Sequence, residues 1–96
     1  MPAKQETEKQ LERLLSSFLT LENPEEVQAY LLDILSAKEL SDLAQRLEVA
    51  HLLSQGKSYV EVIEKTGASS TTVSRVSKCL QGECGGYRIV LERLKD

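Results

Sequence analysis

The sequence of 96 residues contains no tryptophan, one histidine and two cysteines, and these shortages exclude several kinds of site. Cys79 and Cys84 are too few for a disulfide framework. With His51 they make three ligands, whereas a structural zinc site needs about four. We therefore predict no metal site and no cofactor. A redox pair stays open because the loop between the cysteines could let them meet, although two unconnected thiols are the simpler interpretation.

Long apolar runs are also missing. No stretch approaches the ~18 residues of a membrane span. The first eight residues, Met-Pro-Ala-Lys-Gln-Glu-Thr-Glu, lack the apolar region of a signal peptide, so we expect none. A chain without a disulfide framework fits a reducing compartment, and we expect a cytoplasmic protein.

An overall excess of positive charge is absent as well, since the formal net charge is −3. The charges are unevenly divided, however. Residues 1–53 carry five Lys and Arg against ten Asp and Glu, whereas residues 54–96 carry seven against five. The second half is therefore the place to look for a nucleic-acid contact.

Helical periodicity is what the sequence has in abundance. Apolar residues recur at steps of three and four, and no sustained alternation of period two indicates a strand. Turn and cap residues divide the chain into six predicted helices, at about 5–21, 24–35, 37–54, 58–66, 70–80 and 87–95. We predict an all-α fold and one domain, residues 1–96. Because several short helices cannot be buried within one protomer, we expect an interlocked homodimer.

Residues 58–81 have the pattern of a helix-turn-helix. Ser58-Tyr-Val-Glu61 is a capping box, Gly67 suits a helix end, and Ser69 or Ser70 caps the next helix. In this motif the second helix enters the major groove, where its hydroxyl groups can contact base edges. Its cationic side chains can contact the phosphates of the DNA backbone. The predicted DNA contacts are Lys57, Lys65, Ser69, Ser70, Thr71, Thr72, Ser74, Arg75 and Lys78. An ordinary helical hairpin with a polar outer face is the plainer alternative.

The chain also resembles a known family. The matching residues are Leu52-Leu53 through Gly56, Ser58-Tyr59, Thr66-Gly67-Ala68-Ser69, Thr72-Val73-Ser74-Arg75-Val76, Gly85-Gly86-Tyr87 and Leu91-Glu92-Arg93-Leu94. Together they resemble the Trp-repressor-like YerC/YecD family of the Trp repressor superfamily, over residues 30–94. The resemblance implies a six-helix intertwined homodimer whose fourth and fifth helices read DNA.

The resemblance also bears on a possible effector pocket of Arg46, Arg75, Val76 and Cys79. Two arginines sandwich the indole of tryptophan in the Trp repressor, and Arg46 and Arg75 match them. The repressor has glycine where Val76 stands and serine where Cys79 stands. Valine would overpack the space of the ring, so we predict no dependence on tryptophan. Either the pocket is closed or the effector is different. Alternatively, Arg46 pairs on the surface with Glu48 or Asp42.

These observations predict a homodimeric transcriptional regulator that binds double-stranded DNA at half-sites ~34 Å apart. The alternative is a dimeric protein-interaction module that holds a partner helix in a groove and keeps the helix-turn-helix as scaffold. Retention on duplex DNA that disappears with salt would favour the regulator. An enzyme is not indicated, because no nucleophile, base and orienting group occur together.

Overall fold

Most of the residues that the structure describes are helical. The computed structural model describes residues 3–95, and within them there are six α-helices and no strand. The helices are α1 (Lys4–Phe18), α2 (Pro24–Ile34), α3 (Ala37–Ser54), α4 (Tyr59–Thr66), α5 (Ser70–Gln81) and α6 (Gly86–Arg93). The prediction of an all-α, six-helix fold is confirmed.

The end of α1 differs from its prediction, which extended the helix to residue 21. The backbone N–H groups of Leu19 and Thr20 bond to carbonyls three residues back, at 3.0 and 3.2 Å, rather than four. The Thr20 hydroxyl also donates to the carbonyl of Ser17 at 2.7 Å. These bonds tighten and end the last turn, because they satisfy carbonyls that have no partner within the helix.

The start of α2 follows its local sequence. The Asn23 side chain accepts a hydrogen bond from the N–H of Glu26 at 2.9 Å, and the Glu26 carboxylate accepts one from the N–H of Glu22 at 2.8 Å. Pro24 occupies the first helical position, where a missing N–H costs nothing. Side chains therefore satisfy two of the donors at this helix start.

The chain divides into two compact units, between Ala37 and Lys38. The first unit contains α1 and α2. Their aromatic rings at Phe18 and Tyr30 lie 5.3 Å apart, and the hydroxyls of Tyr30 and Ser17 share a hydrogen bond of 2.7 Å. Neither helix contains a buried residue. This unit therefore has no core of its own.

The second unit contains α3 to α6 around one hydrophobic core. Its buried residues come from α3, α4, the following turn and α5: Val49, Ala50, Leu52, Val62, Ala68, Val73 and Val76. Tyr87 and Leu91 of α6 pack against this core. The core fixes α4 and α5 on α3. No helix within residues 3–95 has the length and apolar character needed to cross a membrane.

Candidate nucleic-acid interface

Two capped helices and a tight turn form the helix-turn-helix. The Ser58 hydroxyl accepts from the N–H of Glu61 at 3.2 Å and thereby begins α4. At the other end, Gly67 adopts φ +73° and ψ +7°, the left-handed conformation that glycine accepts without strain. Its N–H bonds to the carbonyl of Ile63 at 2.9 Å. The chain then leads through Ala68 and Ser69 into α5.

Side-chain hydrogen bonds hold this turn. The Thr66 hydroxyl donates to the carbonyl of Val62 at 2.7 Å and accepts from the N–H of Ala68 at 3.1 Å. The carbonyl of Thr66 accepts from Nε2 of Gln45, on α3, at 3.1 Å. Ala68 is 3% exposed and belongs to the core. The turn is therefore fixed both within itself and to α3.

The two sides of α5 differ in character. Val73 and Val76 are buried at 0% and 3% exposure. On the opposite side, steps of three and four residues align a stripe that we call the reading face: Thr71, Ser74, Arg75 and Lys78. All four except the half-buried Ser74 are exposed. Because the core holds the valines, this face points away from the core.

The predicted hydroxyl contacts separate into two groups. The Ser69 hydroxyl accepts from the N–H of Thr72 at 3.1 Å and donates to Thr72 Oγ1 at 3.0 Å. Both hydroxyls are therefore engaged at the start of α5. The hydroxyls of Ser70, Thr71 and Ser74 make no hydrogen bond to other residues in the part of the chain that the structure describes. These three are available to a ligand.

The predicted phosphate contacts lie around the same motif. Lys65 is exposed in the last turn of α4, and Lys78 is exposed in the last turn of α5. Lys57 is half-buried, and its backbone N–H bonds to the carbonyl of Leu52 at 3.2 Å. None of the three forms an ion pair within residues 3–95. Their charges are free to attract phosphate.

A recess of about 310 Å³ lies beside α5 and contains all four residues predicted for an effector pocket. We call it the arginine recess; its lining is Arg46, Thr72, Arg75, Val76, Cys79 and Tyr87. Val76 is one of these lining residues although it is only 3% exposed. Tyr87 also lines the recess, although it is not among the four residues that the sequence predicts for the pocket. Its position directly after Gly85-Gly86 was the available signal.

The charges in the arginine recess are of one sign. Arg46 and Arg75 are both exposed, and neither forms an ion pair among the described residues. Asp42, one of the partners considered for Arg46, pairs instead with Lys38 at 3.2 Å. No carboxylate lines the recess. Two guanidinium groups from separate helices thus face a space that is able to hold an anion.

A second groove lies between the end of α3 and α6. Its volume is about 430 Å³, and its apolar lining includes Leu80, Leu91 and Leu94, with His51 at the side of α3.

The two cysteines are exposed thiols. No group of three His, Cys, Asp or Glu side chains able to hold a metal ion occurs within residues 3–95.

Comparison with known proteins gives consistent matches over nearly the whole chain. The family model described as Trp repressor protein matches residues 9–95. An uncharacterized protein of Bacillus subtilis, YerC, is 40% identical over 88 residues, covering 92% of this chain and 85% of that protein.

Two solved structures have the same fold. The crystal structure of a TrpR-like protein from Eubacterium eligens superposes with a TM-score of 0.83 at 38% identity, covering 90% of this chain and 89% of the other. A candidate Trp repressor from Staphylococcus aureus gives 0.86 at 35% identity, covering 97% and 95%.

Proposed function

The chain belongs to the Trp repressor protein family, and on that premise we propose that it is a transcriptional regulator that binds double-stranded DNA sequence-specifically as a homodimer. Members of this family are regulators rather than enzymes. One observation supports DNA binding above the others: the reading face is exposed, cationic and rich in free hydroxyls, and it lies on a helix held firmly by the core. We place its action in the cytoplasm.

Unburied apolar surface supports the homodimer. Leu11, Leu14 and Leu15 of α1 are 55%, 40% and 58% exposed. Val90 of α6 is 45% exposed, and Leu94, directly after α6, is 60% exposed. Apolar patches of this kind mark contact surfaces rather than the surface of a monomer. We propose that a second copy covers them, together with the groove between α3 and α6, and that the two units thereby form one domain.

A homodimer presents two reading faces related by a two-fold axis. Such a pair fits a near-palindromic site with half-sites one helical turn apart, ~34 Å. In this arrangement Thr71 and Ser74 contact base edges, and Arg75 takes guanine or phosphate. Lys57, Lys65 and Lys78 contact phosphates and position the protein without specifying sequence. Ser69 and Thr72 contribute mainly by holding the start of α5.

The arginine recess supports control by an effector other than tryptophan. Val76 stands where the Trp repressor has glycine, and its larger side chain takes up space that the repressor leaves for the indole ring. Two unpaired guanidinium groups and no carboxylate favour a small anion. We propose that an anionic metabolite binds here and acts on Arg75, which belongs to both the recess and the reading face.

Selection of bound fragments from a random duplex pool tests the proposed function. We expect an enriched near-palindrome, bound as a dimer, with affinity that falls steeply as salt rises. A protein that retains no duplex even at low salt would contradict the proposal. In that case the exposed apolar surface would favour the protein-interaction module.

A further inference from the structure

Each helix of the helix-turn-helix has one C-terminal carbonyl held by a side chain from a neighbouring helix. At the end of α4, the carbonyl of Thr66 accepts from Gln45 of α3 at 3.1 Å. At the end of α5, the carbonyl of Leu80 accepts from the guanidinium of Arg88 of α6. Carbonyls in the last turn of a helix have no partner within it, so these two donors satisfy positions that would otherwise need water.

We propose that Gln45 and Arg88 are positioning residues, which aim the reading face by fixing α4 and α5 to the helices on either side. This inference rests on the proposed function, because the orientation of the reading face affects recognition only if that face contacts DNA. Neither residue belongs to the reading face. Their effect on DNA recognition is therefore indirect.

The Gln45 bond lies at a position with little freedom. Gln45 and Thr66 are both half-buried and are separated by 21 residues in sequence. Thr66 also connects α4 to the turn through its hydroxyl, which bonds to Val62 and to Ala68. Moving the carbonyl of Thr66 therefore moves Ala68 and the start of α5. Loss of the Gln45 donor leaves a partly buried carbonyl without a hydrogen-bond partner, which lowers the stability of the folded state.

The Arg88 guanidinium group lies close to Gly85. A Cβ atom at Gly85 would lie 3.2 Å from a terminal nitrogen of Arg88, and Gly85 has φ +73°. Glycine thus gives the chain its turn and leaves room for the guanidinium group. A cation at the C-terminus of α5 is also favoured by the helix dipole. The start of α6 is therefore held to the end of α5 by the segment Gly85-Gly86-Tyr87-Arg88.

Both positioning residues are sequence neighbours of residues that line the arginine recess. Gln45 directly precedes Arg46, and Tyr87 directly precedes Arg88, so each positioning residue is covalently adjacent to a lining residue.

The test uses neutral or charge-matched variants of the full-length protein. Gln45→Met removes the donor at nearly constant volume, with Gln28→Met on the exposed side of α2 as control. Arg88→Gln removes the guanidinium, with Arg93→Gln on the same helix as a control for charge. Arg88→Lys keeps the positive charge and offers an ammonium group as the donor. Each variant is titrated with the selected duplex and an unrelated duplex at several salt concentrations, and its amide hydrogen exchange is measured.

We expect Gln45→Met and Arg88→Gln to lower the preference for the selected duplex about tenfold relative to their controls. The slope of affinity against salt should equal that of the matched control, because neither residue contacts phosphate in this proposal. Arg88→Lys should recover most of the preference. Amide exchange should quicken at Gly67 and Ala68 in Gln45→Met, and at Gly82 in Arg88→Gln, while Val49 to Leu52 stay protected.

Unchanged preference and unchanged exchange would overturn the inference. A preference that falls together with protection at Val49 to Leu52 would also overturn it, because the variants would then act by loosening the whole core. If the wild-type protein binds no duplex, the proposed function fails, and local exchange alone still decides whether Gln45 and Arg88 fix the two helices.

Discussion

Ser69 and Thr72 are joined by two hydrogen bonds at the start of α5. The Ser69 hydroxyl accepts from the N–H of Thr72 at 3.1 Å and donates to the Thr72 hydroxyl at 3.0 Å. Two residues that sequence alone assigns to DNA contact therefore first serve the helix that carries the contact. The neighbouring Ser70 makes no such bond among the described residues, which provides a matched pair for experiment.

We expect Ser69→Ala to destabilise the fold by ~1 kcal/mol, because a donor at the start of α5 loses its cap. This corresponds to a fall in Tm of about 4–8 °C for a domain of this size. Ser70→Ala should leave Tm nearly unchanged and weaken DNA binding. Thermal unfolding at equal protein concentration measures the difference, and equal Tm values for the two variants would contradict the cap assignment.

Gly67→Ala should cost ~1–2 kcal/mol through backbone strain alone. Gly67 has φ +73°, and nothing lies within 4 Å of an added Cβ, so no clash contributes. Gly86→Ala is the control, since Gly86 also has open space for a Cβ but lacks a positive φ. Denaturant unfolding should show loss of stability in the first variant and none in the second.

Arg75 and Lys78 should affect binding in different ways. Arg75→Gln is expected to weaken the selected duplex more than an unrelated one, by ~1–3 kcal/mol if it contacts guanine. Lys78→Gln should weaken both equally and reduce the salt slope by about one per phosphate contact, hence about two per dimer. Titrations at several salt concentrations separate the two effects, and identical profiles would contradict the assigned roles.

A charge among the exposed leucines of α1, Leu11, Leu14 and Leu15, should prevent dimer formation. We call this row of leucines the apolar stripe. Leu15 is 58% exposed in the single chain, so Leu15→Glu removes no intramolecular core contact. Ser16→Glu adds the same charge beside the stripe and is expected to stay dimeric. Sedimentation at micromolar concentration should give a monomer for the first and a dimer for the second. A monomeric wild-type protein would contradict the proposed homodimer.

The arginine recess should prefer a small anion to tryptophan. We expect millimolar tryptophan to leave the Tm of the wild-type protein unchanged, whereas inorganic phosphate should raise it. Because phosphate also stabilises proteins non-specifically, Arg46→Gln should lose the specific part of the increase, and Arg93→Gln should keep it. Stabilisation by tryptophan would show that Val76 does not block the ring.

Local signals in the sequence were sufficient for most of the helix bounds. Asn23-Pro24, Ser58 and Gly67 act on backbone groups within four residues, so their effect does not depend on how the chain packs. The end of α1 was predicted three residues too late, because the apolar periodicity continues to Leu19 while the hydroxyls of Ser17 and Thr20 bond to the backbone and close the helix.

By itself, the sequence determined the all-α class, the helix-turn-helix and membership of the family, because periodicity, caps and motif residues are properties of neighbouring positions. Only the tertiary structure decided that Gln45 reaches Thr66, that Tyr87 joins Arg46 and Arg75 in one recess, and that Arg88 meets the end of α5. These contacts connect different helices. They depend on how a core of valine, leucine and alanine orients α3, α5 and α6, and such packing is not written in any short stretch of the chain.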